Sequence, residues 1–259
     1  MRGLAAGVAF AALALASPAS ADGMYWIPPA ALWSWTGFYV GLNAGGGWAF
    51  DNGSPRCIDP TGANNGPGCQ SLPDITTNGS GFLGGGQVGY NWQVNPAWVV
   101  GLESDFQGSN LGGSATISGR FGLFGGGLAA NPATFTANDK LDWFGTVRGR
   151  AGLSIGRSLF YMTAGLAYGE VALNTNFATP FFTFPANATV TKVGWIGGIG
   201  TEGVLVGNWS AKVEALYYDL GNTTLLGASI PATSGFVRGK DFEIEGVIVR
   251  GGLNLKLGL

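Results

Sequence analysis

The chain has 259 residues, of which 46 % are apolar, 11 % charged and 47 are glycine, with two cysteines, no histidine and a formal net charge of −2. The charge fraction is under half the roughly 25 % of an ordinary soluble domain, so a well-solvated globular surface is hard to assemble. Glycine without a three-residue period excludes collagen, 12 % aromatics exclude disorder, and the weak charge offers no basic patch for nucleic acid.

The first residues read as an export signal. Arg2 is a positive n-region, Gly3 to Ala16 is an apolar stretch too short to span a bilayer, and Ala19-Ser20-Ala21 is an A-x-A cleavage pattern. Residues 1–21 are therefore expected to be a signal peptide cut between Ala21 and Asp22. That cut leaves 12 basic against 15 acidic residues, a net charge of −3. Residues 22–34, with Pro28-Pro29, read as a periplasmic leader ahead of one domain over 35–259. No later run of 18 apolar residues offers a helical span.

From Thr36 the chain alternates with period two, the strand signature: Phe38, Val40, Leu42 and Ala44 on one parity, Tyr39, Gly41, Asn43 and Gly45 on the other. Further strands are predicted near 80–92, 97–108, 140–153, 158–171, 191–204, 208–220 and 241–257. They are long for a globular sheet and suit a tilted crossing of a bilayer, which takes about 9–11 residues. Short turns at 93–96, 154–157 and 206–208 alternate with long polar or glycine-rich loops over 50–79, 109–139, 172–190 and 221–240. That rhythm predicts an all-β, eight-stranded antiparallel up-and-down transmembrane barrel, with four long outer loops and both termini periplasmic.

Aromatics and charges give independent support. Trp35, Trp48, Trp92, Trp98, Trp143, Trp195 and Trp209 fall near predicted strand ends, where indole rings form interfacial girdles. Glu103 and Asp105 share one face of the third strand; Asp142, Arg148 and Arg150 share one of the fourth. Lys212 and Glu214 do so on the seventh, and Arg250 and Lys256 on the eighth. A mid-bilayer Arg or Lys on the lipid face costs about 2–4 kcal/mol, so these parities are expected to face the lumen and pair there. An eight-stranded interior is just wide enough for side chains to fill, which predicts a plug rather than an open channel.

Cys57 and Cys69 lie in the first long loop, and passage through an oxidising periplasm predicts a disulfide worth roughly 3 kcal/mol. A metal site would need more ligands, and no cofactor is expected. Catalysis is not expected either: histidine is absent, and Glu103 with Asp105 reads as a neutralised pair rather than an acid–base couple. Gly46-Gly47-Trp48 satisfies the bare G-x-W of a lipocalin, which carries little meaning in so glycine-rich a chain. Gly84-Gly85-Gly86 and Gly125-Gly126-Gly127 lack the Lys-Ser/Thr and helix of a phosphate loop.

The run Trp35-Thr36-Gly37-Phe38-Tyr39-Val40-Gly41-Leu42-Asn43-Ala44-Gly45 closely resembles the first strand of the small outer-membrane proteins of alphaproteobacteria, the outer-membrane immunogenic or porin-family barrels. Residues 208–221, NWSAKVEALYYDLG, resemble that family's seventh strand, and 249–256, VRGGLNLK, its last. The likeness implies an OmpA-like barrel of the bacterial outer membrane that supports the envelope and displays surface loops. Its implied partners are outer-membrane lipid, the barrel-assembly machinery during insertion, and a host or environmental ligand at the outer loops. A narrow-channel porin is the alternative, and a surface binder such as a haem-binding protein a second, with tyrosine as axial ligand. The family usually ends on an aromatic; Leu257-Gly258-Leu259 implies a weaker insertion signal, and no peptidoglycan-binding domain is expected after the last strand.

Overall fold

A computed structural model describes residues 33–64, 69, 74–121, 131–232 and 235–258. The expected signal peptide, its Ala21–Asp22 cut and most of the leader lie outside the described residues. Eight long strands follow one another as antiparallel neighbours: β1 (Gly37–Phe50), β3 (Gly79–Gln93), β4 (Trp98–Phe121), β5 (Asn131–Ile155), β6 (Ser158–Ala178), β7 (Thr183–Val204), β8 (Trp209–Ala228) and β9 (Val237–Lys256). β1 pairs with β9 from Tyr39↔Lys256 to Phe50↔Glu245, closing the ring and leaving no long free edge there. A short β2 (Pro55–Ile58) adds to β9 above the end of β1. Among the described residues no helix is long and apolar enough to cross a membrane, which has no bearing on crossing by strands.

β6 shows why the sheet suits two solvents. On its lower half the outward Phe160, Met162 and Leu166 are exposed, while Leu159, Tyr161 and Thr163 point inward. On its upper half the outward positions are Asn174 and Asn176, and the inward ones Val171, Leu173 and Phe177. Apolar side chains therefore face lipid in one band and the core above it. The same band holds Phe38, Val40 and Leu42 on β1, Leu102 and Phe106 on β4, and Val213, Val249 and Leu253 on β8 and β9, all exposed.

Three sequence-based expectations change here. The loops expected over 109–139, 172–190 and 221–240 are mostly strand, because β4 to β9 run well past the lipid band. Without lipid outside, their outward positions carry the Asn, Thr and Gly that read as loop. Register shifts also interrupt the ladders between Gly108 and Leu111, Leu141 and Trp143, and Asp219 and Asn222. They sit where the lipid-facing side chains of those strands give out, a usual place for bulges at a barrel rim. The expected first loop, 50–79, includes strand β2.

Candidate functional site

The lower lumen holds a closed mesh of charges. Glu103 and Asp105 on β4 and Glu202 and Glu214 on β7 and β8 meet Arg148, Arg150, Lys212 and Arg250, four acids against four bases, all buried. Lys212 Nζ donates to both Glu103 oxygens at 2.8 Å. In the ring order β1-β3-β4-β5-β6-β7-β8-β9 those residues stand on opposite strands, so this contact spans the barrel. Arg250 bridges Asp105 and Glu214 at 2.8 Å each, and Arg148 pairs with Glu103, Asp105 and Glu214. Arg150 donates to Glu202 at 3.1 Å and to Asn91 at 2.8 Å. Charges taken out of water are tolerable only with this density of pairing.

Neutral groups complete the mesh. The Tyr39 hydroxyl donates to Glu103 and that of Tyr161 to Glu214, at 2.8 and 2.9 Å. Their rings flank the Arg150 guanidinium at 4.7 and 5.2 Å from the centroids, within cation–π range. Glycine makes room for both rings: a Cβ at Gly89 would lie 2.2 Å from the Tyr39 oxygen, and one at Gly200 2.6 Å from Tyr161. Thr146 and Gln107 bond Asp105, and Gln87 links Asn43 to Asn254.

The sequence reading places most of the mesh and misplaces its ends. Glu103, Asp105, Arg148, Arg150, Lys212, Glu214 and Arg250 come together. Asp142 does not: it is the extra residue of the β5 bulge and pairs with Lys140 outside the lumen. Strict alternation carried across that bulge puts it on the wrong face. Lys256 keeps the inward parity of Arg250 and Asn254 but stands at the strand end, at the mouth of the barrel beside Trp35 and Glu202 and outside the ion-paired mesh; its ammonium reaches the Ser34 carbonyl and lies 5.1 Å over the Trp33 ring. Glu202, Tyr39 and Tyr161 were missed, although Glu202 shares its parity with Ile196 and opposes Trp195 and Ile199, which was a usable signal.

Tryptophan placement divides likewise. Trp92, Trp98 and Trp209 lie exposed beside the short turns, and Trp48 and Trp195 lie exposed near the other rim. Trp143 joins that outer group, stacked on Phe106 at 5.5 Å. Trp35 is the exception. It is buried at the mouth of the barrel, its indole N–H donating to Ser154 Oγ at 3.0 Å, so it caps the lumen rather than facing lipid.

Above the charges the lumen turns apolar, with Leu216, Ile248, Ile196, Phe144, Tyr218 and Leu111 filling the section directly over Glu214 and Arg250. Higher still, Cys57 and Cys69 form a disulfide beside β2. Among the described residues no cluster of His, Cys, Asp or Glu could hold a metal.

This closed ring with an apolar belt and a charged interior has close counterparts in sequence. The family model described as "Outer membrane protein beta-barrel domain" matches residues 4–243. The chain belongs to that family. It is 36 % identical to the 31 kDa outer-membrane immunogenic protein of Brucella melitensis over 230 residues, 88 % of this chain and 86 % of that one. It is also 28 % identical to the 22 kDa outer membrane protein of Rhizobium leguminosarum bv. viciae, over 72 % of this chain and 64 % of that one. This member of the β-barrel family is therefore an outer-membrane protein whose strands cross the bilayer.

Proposed function

We propose that this outer-membrane barrel is a structural, non-catalytic envelope protein. Its lumen is shut by the ion-paired layer, and its outer strands and loops are its means of surface presentation. The observation that carries this reading is the Lys212–Glu103 contact between opposite walls, inside a mesh whose charges balance. Trp35 below and the apolar section above leave the charged layer no open face. A conducting pore would instead need a hydrated path, which eight strands leave little room for.

The test is single-channel recording of the refolded mature protein in a planar bilayer, with heat-modifiable gel migration as the check on folding. Rare small openings or silence are expected from the wild type. Arg148→Met leaves Glu103, Asp105 and Glu214 short of a partner, so it should cost about 3–5 kcal/mol of stability and raise leakage. Steady ohmic steps of uniform size from the wild type would establish the porin reading in place of this one.

A further inference from the structure

The outer end of the barrel contains a guanidinium with nothing to hold. Arg238 on β9 is 1 % exposed, yet none of its three side-chain nitrogens has a hydrogen-bond partner among the described residues. No carboxylate pairs with it there either: Asp51 is taken by Lys240, and Asp241 by Arg56 and Thr224. Its side chain reaches across β8 to the rings of Phe177 on β6 and Phe184 on β7, 4.8 and 5.9 Å from their centroids. Rings satisfy the face of a guanidinium; its in-plane N–H groups still want an acceptor. Burial alone lowers its pKa to about 10, so it remains charged at neutral pH.

A second, independent feature adjoins it. β7 and β8 are laddered only from Trp195↔Asp219 to Val204↔Ser210. Above that, β7 bonds β6 alone and β8 bonds β9 alone, until Thr183 and Ile230 exchange two hydrogen bonds near the top. Between these points a hydrogen bond from Lys192 Nζ to the Asn222 carbonyl crosses the seam, and near the top Gly227 packs directly against the Pro185 backbone. Ala186, Ala188 and Val190 pack against the core along it but stay half-buried, unlike Val171, Leu173 and Phe177 on the neighbouring strand.

We propose that this outer end binds an organic anion with an apolar body, its carboxylate held in plane by Arg238 and its tail lying along the β7–β8 seam. A carboxylate matches the guanidinium fork two bonds at a time and would supply the acceptors the protein withholds. The seam supplies an apolar bed on the same side of the barrel, along Ala186, Ala188 and Val190.

The experiment titrates the refolded protein, in a neutral detergent, with octanoate, octanol and acetate by calorimetry. Saturable binding of octanoate is expected, tighter than acetate and absent for octanol. Arg238→Met should weaken octanoate by at least about tenfold while migrating as a folded, heat-modifiable band, because the guanidinium makes no hydrogen bond that folding needs. Arg238→Lys, which keeps the charge but not the fork, should fall between. Ala188→Phe should remove the advantage of octanoate over acetate. Equal isotherms for wild type and Arg238→Met, or failure of Arg238→Met to fold, would overturn the proposal; the latter would make the arginine a structural residue.

Discussion

Asp139 shows how one side chain on the upper barrel can work against the fold. It lies on β5 above Trp143, outside the lipid band, and its Oδ1 has no hydrogen-bond partner among the described residues. Burial pushes its carboxyl up to about 6, against the pull of hydrogen bonds from Thr77 and Gly113. The folded chain thus holds this proton more tightly than the unfolded one. The stability it contributes is complete below about pH 4 and is lost as the pH rises through 6. Asp139→Asn should therefore gain about 1–2 kcal/mol at pH 7.5, discounted for partial exposure, and nothing at pH 4. Urea unfolding at the two pH values checks this; an equal effect at both would mean that the charge is not what destabilises. The residue was not legible as special in the sequence, because its burial depends on β4 and β5 continuing where composition reads as loop.

At the scale of a strand, the bulges decide which inferences from alternation survive. In the lipid band parity is reliable, since a charge outside costs several kcal/mol, and Glu103, Arg148, Lys212 and Arg250 were all placed by it. It fails at Asp142, where two residues of β5 stand between the inward Leu141 and Phe144. Deleting Asp142 restores plain alternation and leaves every side chain on its face. That variant should fold, losing only an exposed Lys140 pair worth about 0–1 kcal/mol. Deleting Gly149 has the opposite effect. It brings Arg148 and Arg150 into adjacent positions, so one must face lipid at about 2–4 kcal/mol, beyond the loss of its ion pairs. Gel migration of the two deletions side by side separates the outcomes, and a folded band from the Gly149 deletion would contradict the lumen assignment. What the sequence concealed here is physical: a bulge carries no residue signature of its own, and the reversal of apolar faces along β6 defeats any single hydrophobic pattern.

The molecule as a whole stacks different means of cohesion along one axis: a tryptophan cap, a charged layer, an apolar layer, and a disulfide outside the membrane. The ring and its charges were legible because lipid imposes a strict rule on outward residues. The apolar upper core was not, since there the barrel follows the rule of a water-soluble sheet. The layers also share few partners. Cys57 sits on β2, whose ladder runs from Val237 to Lys240, whereas Arg148 meets Glu103, Asp105 and Glu214. Reducing the Cys57–Cys69 bond should thus cost about 3 kcal/mol through the freed loop. It should leave single-channel silence intact, since the proposed closure lies below it. Combined with Arg148→Met, the two losses should add to within about 0.5 kcal/mol, as expected for sites without common partners. Urea midpoints of the four species, with and without reductant, measure this directly. A coupling well above that figure would show that the outer disulfide and the charged layer stabilise one cooperative core, and current on reduction would move the closure of the lumen to its outer end.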